Sequence, residues 1–271
     1  MTDCSYPLID ATWLTHHLGD DDLVILCASM GNPEKSMAKG IPGALLADID
    51  GDFSDLSAGL PHTAPADLAG LFAAYGISDT TRVVIYDRLG NIVAPRVWWL
   101  ALAAGLRDVA VVDGGLPAWE RAGGPLARVQ RATDLDIQPG VITTQPRELF
   151  VPFDALGVVV DARSAGRFAG SEPEPRPGLN GGHIPGSHNL PYPELFDSEG
   201  CFLKPEQLRE KFAGFGQDGM VFSCGSGVTA CIDALAATLA GFQDIKVYDG
   251  SWTQWGDPAL GLPYEMGAGS A

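Results

Sequence analysis

Two stretches of the chain, GLRDVAVVDGGLPAW (residues 105–119) and GFQDIKVYDGSWTQW (residues 241–255), carry the same pattern 136 positions apart. Identical residues recur at matched places, namely Gly105/Gly241, Asp108/Asp244, Val111/Val247, Asp113/Asp249, Gly114/Gly250 and Trp119/Trp255. Two further pairs of matching segments precede these stretches, in the same order in each half of the chain. They are IPGALL (41–46) with IPGSHNL (184–190), and VVIYD (83–87) with MVFSC (220–224). Because a repeat of this length is a whole fold, the sequence predicts two copies of one domain.

The region between the copies is polar, contains Pro and Gly, and lacks clear periodicity, which is typical of a linker. We therefore expect a first domain at residues 1–130, a linker at 131–145 and a second domain at 146–271. Within each copy, short apolar runs alternate with helical patterns, as in LGVVVDAR (156–163) followed by PEQLREKFAGFG (205–216). This alternation predicts an α/β fold in which a mostly parallel sheet is flanked by helices, with sites at the carboxyl ends of strands.

The composition narrows the class of function. The 271 residues carry a net charge of −17, so a phosphate backbone would repel the chain and nucleic-acid binding is not expected. We see no signal peptide and no apolar run long enough to cross a membrane. The five cysteines are irregularly spaced without a CxxC pair, which indicates neither a disulfide framework nor a zinc site. We expect a cytoplasmic protein with reduced thiols that binds no metal.

A cysteine stands where an apolar run meets a glycine-rich turn, in VFSCGSGVTACIDALA (221–236). An inert cysteine usually lies within a strand or helix, so its place at the turn favours a reactive sulfur at Cys224. Backbone N–H groups at the start of the following helix lack intrahelical partners and can stabilise an anion. The predicted cradle for a thiolate or persulfide consists of the amides of Gly225, Ser226, Gly227, Val228 and Thr229.

The first copy provides an internal control, because Asp87 stands where the second copy has Cys224. An aspartate cannot carry sulfane sulfur, so only the second copy is expected to be catalytic. Cys231, in an alanine-rich helix, is interpreted as core packing, with a secondary redox thiol as the alternative. A Cys-x5-Arg phosphatase would need an arginine at position 230, and Ala230 stands there. A binding module without catalysis is the remaining alternative class.

Taken together, the tandem copies, CGSGVTAC after a strand, VVDAR and GGHIPGSHNLPY resemble the two-domain rhodanese-type sulfurtransferases. Within them, the loop Cys-Gly-Ser-Gly-Val-Thr is similar to that of the 3-mercaptopyruvate sulfurtransferases. Thiosulfate-using members typically carry basic residues at the positions of Gly225 and Ser226, which suits a dianionic donor. The resemblance implies two tandem rhodanese-like domains and sulfur transfer from 3-mercaptopyruvate, with thiosulfate:cyanide transfer as the alternative.

The resemblance also implies roles for individual residues. The segment RFAGSEPEPR (167–176) matches a family pattern whose arginines bind the donor's carboxylate and keto oxygen, which assigns these tasks to Arg167 and Arg176. The LPH segment places His62, together with Asp50, in a relay with Ser226, although the spacing to Asp50 is one residue longer than in the family. We expect both arginines in a Pro/Gly-rich loop.

Two further residues, His183 and Arg96, are assigned to the stability of the fold rather than to the reaction. His183 is interpreted as structural, and its counterpart before IPGA is Gly40, where the family usually has histidine. Arg96 also matches a family position and is interpreted as structural, with a place in the lining of the cleft as the alternative. The implied reaction runs through a Cys224 persulfide that passes its sulfur to a thiol such as thioredoxin or to cyanide, without a cofactor.

Overall fold

The computed structural model describes residues 7–216 and 219–268. Over these residues the chain divides into two compact units. Unit 1 is built from residues 7–55, 64–147 and 198–201, and unit 2 from residues 56–63, 148–197, 202–216 and 219–268. Cys4 lies outside the described residues. No described helix is both long and apolar enough to cross a membrane.

Unit 1 contains the elements of the first copy. Its strands are Leu8–Ile9 (β1), Leu23–Ser29 (β2), Leu45–Asp48 (β3), Arg82–Asp87 (β4) and Val109–Val112 (β5). Its α-helices are Ala11–His17 (α1), Pro33–Met37 (α2), Leu68–Ala74 (α3), Ala94–Ala103 (α4) and Gly115–Arg121 (α5), and a 3-10 turn follows at Ala132–Asp134.

Unit 2 repeats the strand plan of unit 1, and four of its five strands are shorter than their counterparts. Its strands are Phe150–Val151 (β6), Val158–Asp161 (β7), His188–Asn189 (β8), Met220–Ser223 (β9) and Lys246–Tyr248 (β10). Its α-helices are Ala165–Phe168 (α6), Pro205–Phe212 (α7), Ala230–Leu239 (α8) and Ser251–Trp255 (α9), with 3-10 turns at Tyr192–Leu195 and Pro258–Leu260.

The two sheets have the same strand order. In unit 1 the order is β1-β5-β4-β2-β3, and in unit 2 it is β6-β10-β9-β7-β8, with parallel pairing between the strands of each sheet. The predicted α/β fold with two tandem parallel sheets is therefore confirmed.

The middle strand of each sheet is apolar because helices cover both of its faces. In β9 every residue from Met220 to Ser223 is buried, as are the last five residues of β4. Parallel strands bring their carboxyl ends to one edge of the sheet, so the residues that follow β7, β9 and β10 meet there. Asp161 at the end of β7 pairs in register with Ser223 at the end of β9.

The copies differ at the turn before their outer strands, β3 and β8. At Gly40 a Cβ would collide with the hydroxyl of Tyr86, which accepts a hydrogen bond from the Ile41 amide at 2.9 Å. In unit 2 the matching His183 is buried, with Nδ1 2.8 Å from the Phe168 carbonyl and its ring stacked on the Phe168 ring at 3.8 Å. In the first copy Tyr86 therefore fills the space that a histidine side chain at position 40 would need.

Candidate active site

The glycine-rich turn connects the end of β9 to the start of α8. Cys224 is the first residue after β9, and α8 begins at Ala230, so residues 224–229 form the connection. The Cys224 side chain is buried. Gly227 has a φ of 76°, in the left-handed region that costs a glycine nothing, and its carbonyl accepts a hydrogen bond from the buried thiol of Cys231 at 3.3 Å. Cys224 thus lies at the carboxyl end of the middle strand.

The equivalent loop of unit 1 has its amides directed at a carboxyl group. Asp87, at the end of β4, is fully buried. Its Oδ2 accepts hydrogen bonds from the amides of Val93 (2.7 Å) and Ala94 (2.8 Å), and its Oδ1 accepts one from Leu89 (2.7 Å). Burial raises the pKa of Asp87, and the amide donors oppose that shift. This strand–loop–helix connection can therefore surround an acidic group with backbone donors.

The structure brings His62 and Ser226 together. His62 Nδ1 lies 3.0 Å from Ser226 Oγ, and both side chains are buried within unit 2. His62 has a φ of 59°, a strained value for a residue other than glycine, and such strain is found at functional sites. Asp50 belongs to unit 1, where its Oδ2 accepts a hydrogen bond from the Gly31 amide at 2.5 Å. The role expected for Asp50 in a relay remains a prediction.

Arg167 is held against the loop by a buried carboxylate. Its Nη2 and Nε donate to the two oxygens of Glu174 at 2.6 Å and 3.3 Å. A Cβ added to Gly225 would lie 2.9 Å from Arg167 Nη2, so the guanidinium occupies the side of the loop that a larger residue would fill. The expectation of a loop is wrong for Arg167, because it lies in the short helix α6, which starts where the Ser164 hydroxyl caps the Arg167 amide.

Arg176 lies outside the helices and strands, as expected for a loop, and is linked to the same glycine through Thr253. Its Nη1 lies 3.5 Å from the hydroxyl oxygen of Thr253, and that hydroxyl donates to the Gly225 carbonyl at 2.6 Å. Arg167 therefore lies against Gly225, the residue after Cys224, and Arg176 is linked to the same residue through the Thr253 hydroxyl. The anion-binding role expected for the two guanidinium groups remains a prediction.

Glu174 connects Arg167 to the core of unit 2, and its role was not foreseen from the sequence. Its side chain is 4% exposed, and its Oε1 also accepts from Arg163 Nη1 at 2.7 Å. Arg163 is fully buried, forms an ion pair with Asp161 (Nη2–Oδ2, 2.7 Å) and lies over the Trp252 ring at 4.5 Å. Although burial alone would lower it, the pKa of Arg163 is raised by Asp161 and then by Glu174.

Asp233 is a second group that its local sequence does not reveal. It lies in the first turn of α8, is fully buried, and neither of its carboxyl oxygens has a hydrogen-bond partner among the described residues. Burial, followed by the nearby charges of Cys224 and Asp161, raises the pKa of Asp233 well above its ordinary value. A buried carboxyl without a partner is stable only as the neutral acid, so it adds no negative charge near the sulfur.

Within residues 7–216 and 219–268, no group of three or more His, Cys, Asp or Glu side chains is arranged to hold a metal ion. The groups that the structure places near the loop are the Cys224 thiol, the His62–Ser226 pair and two half-buried arginines.

The sequence model of the rhodanese-like domain matches residues 10–122 and again residues 147–257. The chain belongs to the rhodanese family. Among its rhodanese relatives, it is 39% identical to the 3-mercaptopyruvate sulfurtransferase of Rattus norvegicus, covering 92% of this chain and 84% of that protein. It is 35% identical to the mitochondrial thiosulfate/3-mercaptopyruvate sulfurtransferase 1 of Arabidopsis thaliana, covering 93% and 76%.

A solved rhodanese structure extends the comparison to the fold. The 3-mercaptopyruvate sulfurtransferase SseA of Escherichia coli superposes with a TM-score of 0.76 at 29% identity, covering 91% of this chain and 98% of that one. The family resemblance inferred from the loop and the duplicated motifs is thereby confirmed.

The state of Asp233 predicts how stability depends on pH. Because the folded-state pKa is raised, the folded protein binds a proton that the unfolded chain releases above pH ~4, and stability falls as pH rises from there. Asp233→Asn removes this dependence. As pH rises, the free energy of unfolding of Asp233→Asn should increase relative to that of the wild type. The difference should change by about 1.4 kcal/mol per pH unit until the carboxyl of the folded wild type ionises.

Urea unfolding of both proteins at several pH values measures this difference. Asp154→Asn, at an exposed position, is the matched control and should leave the pH dependence unchanged. Parallel stability curves for the wild type and Asp233→Asn would show that Asp233 is ionised in the folded state.

Proposed function

We propose that the protein is a 3-mercaptopyruvate sulfurtransferase that moves sulfur through a persulfide on Cys224. The observation that carries this proposal is that Arg167 lies against Gly225 and Arg176 is linked to Gly225 through Thr253, next to a buried cysteine at the carboxyl end of a middle strand. A donor with a carboxylate and a ketone offers two oxygen groups for two guanidinium groups. The similarity to sulfurtransferases named for 3-mercaptopyruvate supports the same donor.

In the first half-reaction the Cys224 thiolate attacks the sulfur of 3-mercaptopyruvate. A sulfur–sulfur bond forms, the donor's carbon–sulfur bond breaks, and its electron pair leaves with the enolate of pyruvate. The proton of the donor thiol passes by way of Ser226 and His62 to the enolate carbon. The products are pyruvate and the Cys224 persulfide anion, so atoms and charge balance without a redox partner.

Charge builds on the donor's keto oxygen as the carbon–sulfur bond breaks. Arg167 and Arg176 stabilise that oxygen, and interactions that strengthen in the transition state are those that increase the rate. Because Glu174 fixes the Nε edge of Arg167, its Nη1 group remains for the donor, and the arginine side chain is 23% exposed. Preorientation of this kind reduces the rearrangement needed during reaction.

In the second half-reaction a thiol acceptor removes the outer sulfur and restores the thiolate. The amides of residues 225–229 hold the persulfide anion meanwhile, and a small thiol, thioredoxin or cyanide serves as acceptor. Such a reaction matches a thiol-reducing compartment, which favours the cytoplasm. We assign the relay partner of His62 to Asp50.

We assign catalysis to the second domain, residues 146–271, and a non-catalytic role to residues 1–130, with residues 131–145 as linker. The segment 56–63 packs with unit 2 and brings His62 to the catalytic domain. The carboxyl of Asp87 occupies the position that sulfur would need in the first copy.

Replacing the nucleophile tests the covalent step. Cys224→Ser should abolish sulfur transfer from 3-mercaptopyruvate, because a hydroxyl cannot form a persulfide. Mass spectrometry of donor-treated wild type should find one added sulfur atom on the peptide that contains Cys224. Cys201→Ser, at a half-buried cysteine, is the control and should retain transfer. Full activity of Cys224→Ser would contradict the mechanism.

Replacing the first arginine separates the two possible donors. Arg167→Ala should lower kcat/KM for 3-mercaptopyruvate by about ten- to a hundredfold, since a charged hydrogen bond is lost. It should affect thiosulfate much less, because thiosulfate has no carboxylate. Arg128→Ala, at an exposed arginine, serves as control. Equal losses with both donors would refute the carboxylate role, and a wild type that prefers thiosulfate would make the protein a thiosulfate sulfurtransferase.

Adding a methyl group to the loop tests why position 225 is glycine. Gly225→Ala places a Cβ 2.9 Å from Arg167 Nη2, and Glu174 restricts how far that guanidinium can retreat. We expect KM for 3-mercaptopyruvate to rise by about three- to tenfold with little change in melting temperature. Gly214→Ala, where a Cβ meets nothing within 4 Å, is the matched control. An unchanged KM would show that Arg167 adjusts without loss.

A further inference from the structure

Three consecutive residues after β10 hold the first two residues of the catalytic loop. The Cys224 amide donates to Ser251 Oγ at 3.1 Å, and the Trp252 amide donates to the Cys224 carbonyl at 3.0 Å. Thr253 donates twice to the Gly225 carbonyl, from its amide at 2.8 Å and from its hydroxyl at 2.6 Å. Residues 251–253, which we call the loop clamp, therefore satisfy both carbonyls at the start of the loop.

A carbonyl held on one side of the chain orients the next amide to the other side. In a planar trans peptide the C=O and the following N–H point in opposite directions. Bonding of the Cys224 carbonyl to Trp252 turns the Gly225 N–H away from the clamp. Bonding of the Gly225 carbonyl to Thr253 likewise turns away the Ser226 N–H. These are the first two amides of the proposed anion cradle.

The loop requires such an external restraint because of its glycine. Gly225 has no Cβ to restrict its backbone, so the peptide between Gly225 and Ser226 can rotate at little steric cost. If it rotated, the Gly225 carbonyl would replace the Ser226 N–H and would place a partial negative charge near the sulfur. The two bonds from Thr253 oppose that rotation.

The conformation of Ser251 supports a functional purpose for the clamp. Its φ of 47° lies in the left-handed region, where a side chain causes strain. Its hydroxyl bonds both the Cys224 amide and the Tyr248 carbonyl (2.8 Å), and these bonds maintain the strained conformation. Strain that is retained and held by several bonds is characteristic of sites where position matters.

We propose that Thr253 is a positioning residue whose hydroxyl keeps the Ser226 amide directed at the Cys224 sulfur. The proposal rests on the function given above, since it assumes that a sulfur anion forms in this loop. Thr253 does not touch the donor; it acts through the Gly225 carbonyl. The Thr253 amide already donates to that carbonyl, so the hydroxyl adds a second donor to the same oxygen.

A pair of substitutions isolates the hydroxyl. Thr253→Val keeps the shape and the backbone amide but removes the hydroxyl, whereas Thr253→Ser keeps the hydroxyl. Each variant is treated with iodoacetamide over a range of pH, and alkylation of the peptide containing Cys224 is followed by mass spectrometry. Melting temperatures establish that both are folded. Thr253→Ala replaces the valine variant if that one does not fold.

We expect Thr253→Val to slow alkylation at neutral pH by about two- to tenfold and to move its pH midpoint upward, because one hydrogen bond no longer fixes the cradle. Thr253→Ser should stay within twofold of wild type. In sulfur transfer, kcat should fall for Thr253→Val while KM stays constant. Equal alkylation of Thr253→Val and wild type would overturn the proposal, as would equal losses in both variants.

The same measurements separate a role in the loop from a role in donor binding. A rise in KM without a change in alkylation would mean that the hydroxyl acts on Arg176, 3.5 Å away, and would refute the clamp. Alkylation needs no sulfur donor. A wild type that fails to transfer sulfur but shows hydroxyl-dependent alkylation would therefore refute the function while leaving the clamp intact.

Discussion

A carboxylate with almost no contact with solvent, Glu174, joins the core of unit 2 to its reactive surface. It bonds Arg163, which is buried on Asp161 and Trp252, and it bonds Arg167, which lies beside the catalytic loop. Removing either arginine would leave the buried carboxylates Asp161 and Glu174 with one cation between them, and an uncompensated buried charge is costly. The position of the Arg167 guanidinium is thus tied to the ion pairs in the core of unit 2.

The charges near Cys224 differ from those of the chain as a whole. The protein is strongly acidic, with 34 acidic and 17 basic residues. Near Cys224, however, Asp161 and Glu174 are paired with arginine, and burial raises the pKa of Asp233 well above its ordinary value. Arg167 and Arg176 lie close to the loop that follows Cys224.

Much of this organisation could be predicted from the sequence, and the physical reason differs from one feature to the next. The repeat and the alternation of apolar runs with helical patterns predicted two parallel α/β sheets, because burial on both faces demands continuous apolar strands. The junction of strand and glycine-rich turn predicted the position of Cys224. The pairing of His62 with Ser226 depended on the family resemblance, since 164 residues separate them in the chain.

Other features could not be read in this way. Thr253 bonds Gly225, 28 residues away in the chain, and no local pattern predicts that contact. The partners of Glu174 are only 11 and 7 residues away, but a Pro-rich segment has no periodicity that would place them together. Asp233 differs from a solvated residue only by its complete burial. The helix around Arg167 is only four residues long, and a Ser cap followed by a single turn leaves too little periodicity to identify. The difference between Gly40 and His183 depends on Tyr86, whose hydroxyl occupies the space beside Gly40 that a side chain would need, and the sequence does not show that contact.

Two short segments pack with the unit that is built mainly from the other repeat. Residues 56–63 come from the first copy but pack with unit 2, and residues 198–201 come from the second but pack with unit 1. Cutting the chain between the repeats would strip His62 from the half that holds Cys224. Each repeat supplies a short segment to the other unit, and neither repeat by itself holds every residue of the unit that it mainly builds.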